Sequence, residues 1–233
     1  MRRLPFLIAI GVALVTSTAP AGAVPEAPPP SLYGVGVVSV PKLLVHAAPS
    51  PQARLLASWP EYRPEDYHPT PVLAVAARKG EDTQLWYRIV VPGRPNGGRG
   101  WVRASDVTFA RNPWQVVVHR SSRTLELWNG RRLVHRAKVA VGAPGMETPL
   151  GLYYVTFRFR PVKQPFLGTF AFATSASKLS DWPGGGIVGL HGTYQPWLLG
   201  QAVSHGCVRM SNATANVLRD HVPVGTPIRI VAS

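Results

Sequence analysis

The part of this sequence best equipped for chemistry is His191-Gly192-Thr193, followed after eleven residues by His205-Gly206-Cys207-Val208-Arg209-Met210. A thiol at its free pKa of ~8.5 is mostly protonated at neutral pH, and a neighbouring imidazole can take its proton and create the nucleophile. Glycines at 192 and 206 allow close backbone approach and unusual φ. Such a turn can aim N–H groups at a developing oxyanion. The same atoms admit two rival readings. Two histidines and one cysteine are also a plausible zinc set, and all three side chains can simply pack within a loop.

Cys207 is the only cysteine, so no intramolecular disulfide can form. Residues 1–23 give that fact weight. Arg2 and Arg3 precede an apolar run from Phe6 to Val15, and Ala21-Gly22-Ala23 follows. This is the pattern of a secretory signal peptide, and its short apolar run is no match for a ~30 Å hydrocarbon core. The expected location is therefore outside the cytoplasm, in periplasm or cell wall. In an oxidising compartment an unpaired thiol is either buried and inert or kept for its reactivity.

The elements that must position these residues are strands. The chain of 233 residues has room for one or two domains, and 45% apolar residues can form a core, which excludes wholesale disorder. Its 24 prolines are spread throughout, which excludes a helical bundle and favours a mainly β protein with one or two short helices. Residues 24–32 read as a stiff, proline-rich linker. Residues 33–110 contain short apolar runs between turn signals (34–40, 43–46, 72–76, 85–91 and 100–102), the spacing of a small barrel.

Residues 113–233 form a second unit. Asn129-Gly130 between 124–128 and 131–141 predicts a hairpin, with further strands over 150–160 and 228–231. Ser211-Asn212 caps a helix over 213–221, with Pro223 beyond it. Charge is uneven: residues 111–233 hold fourteen basic and four acidic side chains, whereas 24–110 hold nine and seven. For an exported protein that excess suggests an anionic cell envelope rather than nucleic acid, or else a solvated basic surface.

Ser204-His-Gly-Cys-Val-Arg-Met210, with His191-Gly-Thr upstream, resembles the signature of the L,D-transpeptidase (YkuD-like) family. The likeness extends to Val141-Gly-Ala-Pro-Gly-Met-Glu-Thr-Pro-Leu-Gly151, Gln195-Pro-Trp-Leu-Leu-Gly200 and Val224-Gly-Thr-Pro-Ile-Arg-Ile230. It implies a YkuD-like β-sandwich catalytic domain over 113–233. The module before it resembles bacterial SH3-like domains through Lys42-Leu-Leu-Val-His-Ala-Ala-Pro-Ser50, Leu85-Trp-Tyr-Arg-Ile-Val90 and Gly100-Trp-Val102. Such modules are thought to recognise wall peptides, and one can equally be a spacer.

The family resemblance implies roles. Cys207 is the nucleophile that holds the acyl group as a thioester, and His191 is the general base and acid. His205 orients the site or donates a proton, and the backbone N–H groups of Gly206 and Cys207 receive the oxyanion. On the substrate side stand Ser204, Arg209, Gly192 and Thr193: Ser204 bonds within the turn, Arg209 holds a carboxylate or clamps structure, and Gly192 and Thr193 shape the loop. Thr148 and Pro149 shape a strand turn. The implied reaction joins two peptidoglycan stem peptides without metal or organic cofactor, and carbapenem β-lactams are expected inhibitors. Water as acceptor would make the enzyme a carboxypeptidase, and a free D-amino acid would give exchange. A wall-binding protein without turnover is the non-catalytic alternative.

Overall fold

The computed structural model describes residues 34–178 and 186–233. The expected signal segment 1–23 and linker 24–32 lie outside them. Seven strands come first: β1 (Gly34–Val38), β2 (Lys42–His46), β3 (Leu55–Pro60), β4 (Pro71–Lys79), β5 (Leu85–Val90), β6 (Arg99–Arg103) and β7 (Val107–Ala110). They form one antiparallel sheet in the order β3-β2-β6-β5-β4-β1-β7. Leu43, Val45, Val72, Ile89, Val102 and Val107 meet in its core, so strands distant in the sheet order share one apolar interior.

The second half contains β8 (Trp114–His119), β9 (Thr124–Asn129), β10 (Arg132–Lys138), β11 (Val141–Gly142), β12 (Gly151–Phe159) and β13 (Ala171–Ser177). After them come β14 (Ile187–His191), β15 (Ala202–Ser204), β16 (Val208–Arg209), α1 (Asn212–His221) and β17 (Pro227–Val231). Eight of these strands pair as β10-β9-β8-β17-β12-β13-β14-β16, and β11 pairs with β15 separately. Val116 and Leu127 from one end of the sheet share a core with Leu190 and Val208 from the other end, and with Ala215 and Leu218 of α1. The fold is mainly β with a single α-helix among the described residues. That helix starts as expected: Ser211 Oγ accepts from the Thr214 N–H at 3.1 Å.

Strand β12 also joins the two halves. Tyr153 and Val155 point into the core just described, whereas Tyr154 joins Val35, Leu73 and Val90 in a separate buried cluster. Alternation along a strand sends neighbours to opposite faces, and here both faces are covered. Arg63 donates to the carbonyl of Thr156 across the same junction.

The expected strand 131–141 is shorter than predicted. Its pattern holds through Lys138, with Leu133, His135 and Ala137 turned inward. Then Val139, Ala140 and Val141 are all buried. The chain leaves β10 there because its backbone pairs with the segment carrying the cysteine: Ala140 exchanges two 2.8 Å bonds with Arg209, and Val141 N–H donates to Gln201 O at 3.0 Å. Local alternation cannot signal this change of partner.

Candidate active site

Strands β14 and β16 run parallel at the edge of the large sheet, with Leu190 beside Val208 and His191 beside Arg209. Leu190 and Val208 are core residues. Alternation therefore sends Gly189, His191, Cys207 and Arg209 to the opposite face. Residues eighteen apart in sequence become neighbours by register, and His191 and Cys207 fall on one face.

The cysteine turn is fixed from several sides. Ser204 Oγ donates to Cys207 O at 2.6 Å and accepts from Gly206 N–H at 3.1 Å. Thr148 Oγ1 donates to Gly206 O at 2.9 Å and accepts from Gly142 N–H at 2.9 Å. Gly206 has φ +121°, a conformation that only glycine adopts without strain. Thus the glycine expected from sequence is required by backbone geometry. Its N–H, expected to face the oxyanion, is engaged by Ser204 in this resting turn. The Cys207 N–H makes no hydrogen bond among the described residues.

At Sγ the partner is Gly189, whose N–H lies 3.4 Å away. Burial is the largest influence on the thiol and pushes its pKa above the ordinary range. The Gly189 N–H and the nearby Arg209 cation pull the other way without overcoming it. His191 is 5% exposed, and its Nδ1 lies 2.6 Å from Gly192 O. A carbonyl can only accept, so Nδ1 carries the proton and Nε2 is the basic nitrogen. Burial lowers the imidazole pKa to about 4, and Arg209 adds to that fall against the Gly192 bond. Both shifts favour a neutral thiol and a neutral imidazole. In the resting site the thiolate–imidazolium pair is the disfavoured state.

Beneath His191 the loop has no spare room. A Cβ on Gly192 would lie 2.3 Å from Asn212 Oδ1, and Gly168 meets the same oxygen at the same distance. Asn212 Oδ1 accepts from Thr169 N–H at 3.0 Å, tying the first residue of α1 to this knot. Thr193 is buried, and its hydroxyl accepts from Gln195 N–H at 3.0 Å. Both residues are packed into the loop beneath His191.

His205 is exposed on the turn, whereas His191 is buried. Among the described residues no three His, Cys, Asp or Glu side chains are placed to share a metal ion, so the zinc reading finds no donor set there. Arg209 is half-buried, and its guanidinium makes no ion pair with a carboxylate among the described residues. Two contributors were not foreseen. Thr148 holds the cysteine turn directly, although its motif suggested only a strand turn. Gly189 approaches Sγ, and its one sequence signal is a glycine interrupting the apolar run Ile187-Val188-Gly189-Leu190.

The family model of the YkuD L,D-transpeptidase catalytic domain matches residues 113–230. The chain belongs to this family. The L,D-transpeptidase match begins at the residue before β8 and ends within β17, so it takes in the large sheet, α1 and the cysteine turn. The YkuD protein of Bacillus licheniformis is 36% identical over 118 residues, covering 51% of this chain and 66% of that protein. Its counterpart from Bacillus subtilis is 35% identical over the same extent. The chain thus spans just under two thirds of the length of these relatives. An L,D-transpeptidase structure from Mycobacterium tuberculosis covers 64% of this chain and 90% of its own, at 17% identity and a TM-score of 0.43.

Proposed function

We propose that this protein is a peptidoglycan L,D-transpeptidase acting outside the cytoplasm, with Cys207 as nucleophile and His191 as base. The observation that supports it best is the orientation of His191 within a YkuD-family domain. The Gly192 carbonyl fixes the proton on Nδ1, leaving Nε2 basic on the sheet face that also bears the only cysteine. That pairing of base and nucleophile is the arrangement acyl transfer needs.

Cys207 Sγ attacks the carbonyl of the third residue of a stem tetrapeptide while its proton passes to His191 Nε2. The oxyanion is received by the Cys207 N–H; the Gly206 N–H can join it only by leaving Ser204. Collapse breaks the bond to the terminal D-alanine, whose nitrogen takes the proton from His191, and a thioester remains. An amine on another stem's third residue then attacks. The new C–N bond forms as the C–S bond breaks, and the amine proton returns through His191 to sulfur. Water or a free D-amino acid at the second step gives hydrolysis or exchange. Arg209, a cation beside both reacting groups, favours the thiolate as it forms and is placed to hold a substrate carboxylate. His205, exposed on the turn, is the second group assigned to proton delivery or orientation.

The basic catalytic half suits an anionic wall, and the N-terminal sheet is assigned as an SH3-like module. Incubation with a carbapenem followed by intact-mass measurement tests the central reading. A one-to-one adduct, absent from Cys207→Ala, is expected together with loss of turnover of disaccharide-tetrapeptide. Unchanged turnover in Cys207→Ala would overturn it.

A further inference from the structure

The loop of residues 91–98 in the N-terminal sheet reaches the catalytic half beside the cysteine turn. Asn96 grips the backbone of Ser177 at two points, its Nδ2 donating to the carbonyl at 2.6 Å and its Oδ1 accepting from the N–H at 2.9 Å. Gly93 N–H donates to Ser175 O at 3.3 Å, and Arg94 donates to the carbonyl of Lys178. These contacts wall one side of a cleft of about 660 Å³ whose other side is the catalytic domain. Among the described residues three cations line it, Arg94, Arg120 and Lys178, against one carboxylate, Glu147.

The cleft touches the machinery of the site. The Lys178 stem lies 3.1 Å from where a Cβ on Gly206 would stand. Arg120 Nη1 donates to Thr148 O at 3.2 Å, and Thr148 in turn holds the Gly206 carbonyl. Arg94 spends one donor on Lys178 and Arg120 one on Thr148, while a guanidinium has five in a fork that matches a carboxylate. The surplus of positive charge, in an open cleft one residue layer from the nucleophile, selects an anionic ligand.

We infer that this cleft is a subsite for a carboxylate of the acyl-donor peptide, with Arg94 of the N-terminal module and Lys178 of the catalytic module as its specificity-determining cations. The inference rests on the acyl-transfer reading of Cys207 and adds a role for the first module that is not spacing alone. Arg94 and Lys178 are positioning residues and take no part in bond making.

The test compares a donor peptide bearing free carboxylates with the same peptide amidated at those groups. The wild type is expected to favour the acidic form about tenfold in kcat/KM, as one charge-assisted contact provides. Lys178→Gln, which keeps the backbone carbonyl that Arg94 uses, and Arg94→Gln should each shrink that preference, chiefly through KM. Arg94→Lys should restore most of it. Carbapenem adduct formation at Cys207 should continue in all three variants. An active enzyme indifferent to amidation, or a preference that survives both glutamine variants, overturns the subsite. A wild type that forms no adduct and turns over neither peptide overturns the acyl-transfer reading and the subsite with it.

Discussion

Thr148 and Gly206 are 58 residues apart in sequence, yet the threonine hydroxyl donates to the glycine carbonyl at 2.9 Å in the buried floor of the cysteine turn. The same hydroxyl accepts from Gly142 N–H, so one oxygen joins the glycine-rich segment to the nucleophile's backbone. Thr148→Val keeps the shape and removes both bonds, leaving two buried backbone groups unpaired. A loss on the order of 2–4 kcal/mol is expected in denaturant unfolding, with slower acylation of Cys207. Thr148→Ser should recover both. A valine variant as stable and active as wild type would remove the clamp from the account.

Burial of His191 has a signature in pH. Its folded pKa of about 4 lies below the ordinary 6.5, so the unfolded chain binds the proton more readily than the folded one. Stability is fully present above about pH 6.5 and falls as pH drops toward 4, by about 3 kcal/mol in total. The fall should be missing from His191→Gln when unfolding free energies are compared at pH 7 and pH 4.5. An identical slope in both proteins would show that the imidazole is not buried in this way.

The thiol should behave as a thiol. Burial holds its pKa above the ordinary cysteine range, so alkylation by iodoacetamide should accelerate about tenfold per pH unit up to pH 8, without a plateau. Arg209→Gln removes a cation that favours the thiolate and should slow alkylation further at any fixed pH. A plateau at or below pH 7 would instead reveal a resting thiolate–imidazolium pair.

Gly189 offers a steric test. An added methyl would meet nothing closer than Phe172 O at 3.4 Å and would lie 3.9 Å from Sγ. Gly189→Ala should therefore fold normally while crowding the side on which the acyl group must sit. Acylation is expected to slow by about tenfold or more, since small displacements at a reacting centre are expensive. Unchanged kinetics would mean that the substrate approaches Cys207 from elsewhere.

Much of the molecule was legible locally. Turn chemistry placed the hairpin at Asn129-Gly130, where Gly130 has φ +57°. Alternation placed the inward residues of β10, and Ser211 marked the start of α1. Short strands of small residues were less visible: β13 reads Ala-Phe-Ala-Thr-Ser-Ala-Ser and β16 has two residues. Pairing with neighbours, rather than their own pattern, makes them strands.

The sequence by itself determined which groups are available for chemistry: one thiol, two nearby histidines, and glycines where the backbone must turn. It also determined the family, because the ordered motifs are covalent facts that survive without a fold. Tertiary structure decided what state those groups are in. Burial sets the His191 and Cys207 pKa values, the parallel register of β14 and β16 puts them on one face, and Thr148 reaches the turn from a distant segment. These are consequences of desolvation and of long-range pairing. Neither is encoded in the spacing of residues along the chain.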